Sequence, residues 1–161
     1  MRFIAFLLVS LSVHAATIIG NVVGVADGDT ITVLTEAKQS VKVRLYGIDA
    51  PEAKQAFGQR AKRELSDLVF GKVVTVDVRE KDRYGRSIGR VSVNGLAVNV
   101  EMVRRGFAWW YRAYAKTDVE LARAEAEAKN AKRGLWADEA PIAPWQFRRD
   151  ESAKKKATAA R

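Results

Sequence analysis

Cysteine is absent from the 161 residues, and histidine occurs once, at position 14. No disulfide framework exists, and no Cys-based zinc site or Cys-His nucleophile can be built. Long apolar runs are scarce too. Phe3 to Val13 is uncharged and mostly apolar, but its 11 residues are too few to cross a bilayer comfortably. With Met1-Arg2 before it and Val13-His14-Ala15 after it, this stretch has the layout of a secretory signal peptide over residues 1–16. Cleavage near Ala16 would remove the single histidine. The remaining chain must hold any metal with oxygen, which favours calcium, magnesium or manganese, and must draw any general base from carboxylate, Lys or Tyr. Net negative charge is lacking as well. The chain carries 28 Lys and Arg against 19 Asp and Glu, a formal charge of +9, which suits a polyanionic partner.

Hydrophobic residues make up 48% of the chain, enough for one core in one domain. Ile18 to Val25, Thr30 to Leu34, Val41 to Tyr46, Val73 to Val78 and Ser87 to Val93 read as strands. Asn94-Gly95 closes the last as a hairpin turn. Helices are expected over Ala53 to Val69, from Asn99 as cap to Arg105, and from a Thr117-Asp-Val-Glu120 capping box to about Arg133. Gly71, Gly106 and Gly134 are their stops. Five short strands with about three packed helices predict an α+β domain over residues 17–138, with a five-stranded OB-fold barrel as the leading architecture. Residues 139–161, with Arg148-Arg149 and Lys154-Lys155-Lys156, are expected to form a basic, disordered tail.

Three short motifs carry the chemistry. Asp27-Gly28-Asp29-Thr30 lies between two strands. Taken alone it reads as a turn, although its second Asp begins a strand, where Asp is disfavoured. Arg44 ends the third strand and is followed by Asp49-Ala50-Pro51-Glu52. Asp49 reads either as a helix N-cap or as a site carboxylate pinned at a helix entrance. Asp82-Arg83-Tyr84-Gly85-Arg86 is a charged loop whose last guanidinium suits a phosphate. Trp109-Trp110-Tyr111-Arg112 and Tyr114 come later in the chain. The tryptophans suit the core, and Tyr111 and Tyr114 suit stacking on a nucleobase. The separate bland readings do not explain why all three motifs occur together in a basic, leader-bearing chain. An OB module that binds nucleic acid without cutting it, and a structural or lipid-surface protein, remain the alternatives.

These motifs, in this order and with the later Gly106-Phe-Ala-Trp109 and Gly134-Leu-Trp136, resemble the thermonuclease, or staphylococcal nuclease-like, family from about Thr17 to Asp138. The resemblance implies an OB-fold, calcium-dependent endonuclease that cuts DNA and RNA, preferably single-stranded or unpaired, and leaves 3′-phosphate and 5′-hydroxyl ends. It implies Asp29 and Asp49 as calcium-binding carboxylates, and Ala50 as a main-chain ligand where the family often has Thr. It implies Glu52 as general base, Arg44 and Arg86 on the scissile phosphate, and Tyr114 as a substrate-contacting tyrosine; Tyr84, Tyr111 and Arg112 are further candidates for substrate binding. Arg112 stands where the family has a tyrosine, so the nucleotide pocket is expected to differ. The expected protein is a monomer, secreted or periplasmic, with no stable membrane association once the leader is cleaved.

Overall fold

A computed structural model of the chain describes residues 16–159. All of the expected leader except Ala16, His14 included, lies outside the described residues. Strands β1 (Ala16–Val25), β2 (Thr30–Thr35) and β3 (Ser40–Leu45) form an antiparallel meander, β5 (Val73–Lys81) pairs with the other side of β1, and β6 (Ser87–Val93) pairs with β5. A parallel pairing of β3 with β6, Val43 opposite Ser87 and Leu45 opposite Gly89, closes the five strands into a barrel. Closure leaves those five strands no free edge. Alternation drives it: Val74, Val76 and Val78 on β5 are buried while Val73, Thr75 and Asp77 are exposed. The short strand β7 (Leu96–Ala97) extends β6 through the expected hairpin, with Asn94 and Gly95 both at positive φ.

Helices α1 (Gly58–Val69), α2 (Val98–Arg104) and α3 (Val119–Asn130) cover the barrel. Ala61, Leu65 and Val69, Met102 and Val103, and Leu121 and Ala124 are their buried contributions to one core shared with Ile31, Val43 and Leu45. A 3-10 turn (Gly134–Ala137) comes after α3. Among the described residues, no helix is long and apolar enough to cross a membrane.

Three local expectations shift. Asn99 does not cap α2 but lies buried within it. Its Nδ2 donates to the Tyr46 and Gly89 carbonyls, and its Oδ1 accepts from Val91 N–H. It thereby satisfies barrel backbone groups that water does not reach. The cap of α3 is Asp118 rather than Thr117, accepting from Leu121 N–H at 3.1 Å. Helix α1 starts at Gly58 rather than Ala53, because Phe57 takes a left-handed backbone (φ 66°). The seven residues from Pro51 to Phe57 are thus non-helical, and Asp49 is not a helix cap. It belongs to a two-residue strand β4 (Ile48–Asp49), paired with β8 (Trp109–Trp110).

The largest difference is the tail. Residues 144–159 form a fourth helix, α4 (Pro144–Ala159), instead of disordered chain. Pro144 suits a first helical position, and Ala, Lys, Arg, Glu and Gln dominate the rest of the segment. Low hydropathy masked strong helix formers.

Candidate active site

The turn between β1 and β2 is closed by Ala26 N–H on the Thr30 carbonyl and by Asp29 N–H on Asp27 Oδ1. Gly28 allows the turn to press inward: a Cβ there would stand 2.7 Å from the Cβ atoms of both Ala50 and Ala61. Asp29 is consequently driven into the interior, 3% exposed. Its main-chain carbonyl accepts from Leu45 N–H, and its Oδ2 accepts from Ala50 N–H, both at 2.8 Å. The first two motifs are therefore bonded to each other through Asp29 and Ala50. Ala50 reaches the site through its amide, as a residue whose side chain is not needed there.

Arg44 bridges the carboxylates. Its Nη1 donates to Asp29 Oδ1 at 2.6 Å and its Nη2 to Asp49 Oδ1 at 2.9 Å. Thr30 Oγ1 adds a third donor to Asp29 Oδ1 at 3.1 Å. Asp49 is 1% exposed and Glu52 40% exposed by side chain. Glu52 thus stands at the solvent side of the buried pair, its backbone fixed by donation to Gln55 Oε1. Arg86 is held by Asp82, with Nε on Oδ2 at 2.7 Å and N–H on Oδ1 at 3.0 Å. A cleft of about 700 Å³ is lined by Arg44, Tyr84, Arg86, Tyr111, Tyr114 and Arg148, among others.

Two sequence expectations separate here. Tyr84 and Tyr114 line this cleft with most of their surface open to solvent, and Tyr111 lies at its wall. Arg112 does not line it. Its guanidinium is paired with the buried Glu125 at 3.0 Å and stacks over Trp110 at 4.5 Å, beside a second cavity lined by Trp109, Tyr111 and Trp145. Glu125 also accepts from Trp110 N–H and Lys129, so Arg112 belongs to a cluster that fixes β8 to α3. A residue that the sequence motifs do not flag joins the site instead. Arg148 of α4 bonds Asp49 Oδ2 and Glu52 Oε1, each at 2.7 Å.

Burial pushes the Asp29 carboxyl up to about 7. Arg44 opposes that rise, while Asp27 and Asp49 add to it. Arg44 is pulled down by burial but raised above its ordinary value overall by Asp29 and Asp49. The stability consequence has a definite sign. From pH 3.8 to about 7 an unfolded Asp29 is ionised while the folded one retains its proton, so this group's contribution to stability falls as pH rises. Melting in chelator from pH 4.5 to 7.5 is expected to show that decline, and Asp29→Asn is expected to flatten it. An unchanged slope in the variant would assign the decline to other groups.

Among the described residues, no three His, Cys, Asp or Glu side chains converge as a metal cage. The protein offers a partial, all-oxygen shell: two buried carboxylates of raised mutual repulsion opening towards Glu52. That donor set fits a hard divalent cation that keeps waters or a substrate oxygen.

Residues 42–138 match the model of the family described as staphylococcal nuclease homologue. The chain is 49% identical over 132 residues to an uncharacterized endonuclease of Haemophilus influenzae, covering 81% of this chain and 73% of that protein. It is 46% identical over 146 residues to Protein ParB of Escherichia coli, covering 84% and 82%. It is 44% identical over 149 residues to a micrococcal nuclease of Shigella flexneri, covering 86% and 83%.

Proposed function

The chain belongs to the staphylococcal nuclease homologue family, and from that premise we propose that it is a calcium-dependent endonuclease hydrolysing DNA and RNA to 3′-phosphate and 5′-hydroxyl ends. Nuclease activity accords with the family and with the endonuclease and micrococcal nuclease names its relatives carry. The observation that carries the reading is the meeting of Asp29 and Asp49, from two separate motifs, on Arg44 at the wall of a cleft that Arg86 also lines, with Glu52 tied to Asp49 through Arg148.

Asp29, Asp49 and the main chain of Ala50 would hold the cation. The chemistry it supplies when bound is polarisation of a phosphoryl oxygen and partial neutralisation of its charge. Glu52, more exposed than the pair, orients a water and accepts its proton for in-line attack on phosphorus, which breaks the P–O5′ bond as the leaving 5′-oxygen takes a proton from solvent. Arg44 and Arg86 place fork-shaped donors against the negative charge that grows on the phosphoryl oxygens. Buried Asp29 and Asp49 each hold one Nη of Arg44, so the guanidinium is fixed at the cleft wall before substrate arrives and its remaining N–H groups are those free to meet a phosphate. Tyr84 and Tyr114, both exposed, offer rings for bases splayed out of a helix, with Tyr111 at the wall beside them, which favours single-stranded or unpaired substrate. The leader expected over residues 1–16 supports action outside the cytoplasm, as a secreted or periplasmic protein.

The test is cleavage of single-stranded DNA and RNA by purified protein in calcium, in magnesium and in chelator, with end-group analysis. Calcium-dependent cutting of both, leaving 3′-phosphates, is expected. Tight binding without cutting in any metal would overturn the reading in favour of a binding module.

A further inference from the structure

Helix α4 is docked at its start and bare beyond it. Trp145 stacks on Tyr111, with ring centroids 5.4 Å apart and planes 6° from parallel, and meets Trp109 edge-on at 5.6 Å. Pro144 is the one buried residue of the helix, and the Ile142 carbonyl just before it accepts from Gln55 Nε2. One turn further on, Arg148 reaches back over 96 to 99 residues of sequence to the catalytic loop. Its Nη2 lies 2.7 Å from Asp49 Oδ2, and its Nη1 lies 2.7 Å from Glu52 Oε1 and 3.2 Å from Asp49 Oδ1. Past it, Arg149, Ser152 and Lys156 line a groove of about 560 Å³ with Tyr111 and Trp145.

Resting on the nuclease reading, we propose that α4 is a wall of the substrate site: Arg148 is a third phosphate-binding arginine, and Arg149 and Lys156 continue its track along the backbone of a single-stranded polynucleotide. Three observations carry this. First, the Arg148 side chain is 42% exposed and lines the cleft that Arg44 and Arg86 line, and a residue serving only to staple the helix down would gain by being covered. Second, Asp49 is already bonded by Arg44, so Arg148 is a second cation on one carboxylate. Its fork has the geometry of a bidentate oxyanion contact, and a phosphodiester entering the cleft presents the same pair of oxygens. Third, α4 is packed only over its first turn, where Trp145, Gln146 and Phe147 are half-buried, and from Arg148 onward it is exposed except at the half-buried Glu151, so its later turns are not held by core packing. Its basic side chains facing an open groove suit a polyanion.

The experiment uses the full chain, with Arg148→Ala, Arg148→Lys and the double variant Arg149→Ala/Lys156→Ala. Binding of a short single-stranded DNA in chelator is titrated across a salt series. Steady-state cleavage in calcium is measured on that DNA and on a dinucleoside phosphate, and melting confirms that each variant folds. Arg148→Ala is expected to lower kcat/KM about ten- to a hundredfold on both substrates. It is also expected to make the log–log salt slope of binding shallower by about 0.7, the share of one phosphate contact on a single strand. Arg148→Lys should restore the slope but not the full turnover, since an ammonium keeps the charge without the fork. The double variant should raise KM more on the oligonucleotide than on the dinucleoside phosphate. A folded Arg148→Ala protein with the wild-type salt slope and unchanged or faster cleavage would overturn the proposal, leaving Arg148 a staple or a plug over Glu52. Wild-type protein that neither binds nor cuts would instead overturn the nuclease reading, and the proposal with it.

Discussion

Glu52→Gln is expected to lower turnover on single-stranded DNA by about a hundred- to ten-thousandfold, while the melting temperature changes little. Glutamine keeps the shape of the side chain and can still meet Arg148, but it carries no charge and accepts no proton. The fold has little stake in that charge. Glu52 is 40% exposed, its one ion pair is with the equally exposed Arg148, and the loop around it is set by main-chain bonds, Gln55 N–H on the Glu52 carbonyl among them. Exposed pairs of this kind are worth about 1 kcal/mol or less. The separation between a large kinetic effect and a small stability effect is what identifies a group acting on the reacting water. Rapid-quench cleavage at saturating calcium, with urea unfolding of the same sample, measures both. A variant cutting within a fewfold of wild type would remove Glu52 from the chemistry. A variant that is inactive because it has lost several kcal/mol of stability would make Glu52 structural.

Much of this site is legible in the amino-acid sequence. Alternating valines mark β3 and β5, because alternation along a half-buried strand is a local property, and β1 is marked by its branched residues. Asp29, Arg44, Asp49 and Glu52 are legible because each stands in a short motif. Asp49 shows where such reading is ambiguous. An Asp-Ala-Pro-Glu run suits a helix entrance as well as a cation site, and only the β4–β8 pairing and the late start of α1 remove the capping option. Arg112 is misplaced by the sequence for a related reason: nothing in an aromatic run tells which basic neighbour will meet a buried carboxylate, and Glu125 lies 13 residues away. Arg148 is out of reach altogether. Its partners are nearly a hundred residues distant, and its helix looks like a charged tail. The signal present is Pro144 with Trp145 and Phe147 just after it, within a run of strong helix formers, a start position with aromatic anchors.

Arg44→Met is expected to abolish detectable cleavage and to destabilise the cation-free protein by about 3–5 kcal/mol at pH 7.5, the range for removing one partner from a buried ionic cluster. Methionine fills a similar volume, so the loss is electrostatic rather than a cavity. Asp29 would keep only Thr30 Oγ1 and the Ala50 amide, both neutral donors, in a site 3% exposed. Asp49 would keep Arg148. Arg44 is also the group that restrains the burial-driven rise of the Asp29 carboxyl above its ordinary range. Without it that carboxyl must rise further, and the variant should take up a proton at Asp29 rather than carry an unpaired charge. The penalty should therefore be smaller at pH 5 than at pH 7.5. Calcium should recover part of the lost stability by replacing the missing positive charge, so the calcium-induced rise in melting temperature should be larger in Arg44→Met than in wild type. Cleavage should not return with it, because the cation replaces the charge between the carboxylates but not the guanidinium's remaining N–H donors to the phosphate. Arg44→Lys should lie between: a single ammonium reaches one carboxylate well but does not span Asp29 and Asp49 with two nitrogens as Nη1 and Nη2 do. Urea unfolding at both pH values, with and without calcium, reads every part of this. Equal stability of Arg44→Met and wild type in chelator would mean that the two buried carboxylates are not held by Arg44. Recovery of activity by calcium alone would mean that Arg44 serves the fold and not the phosphate.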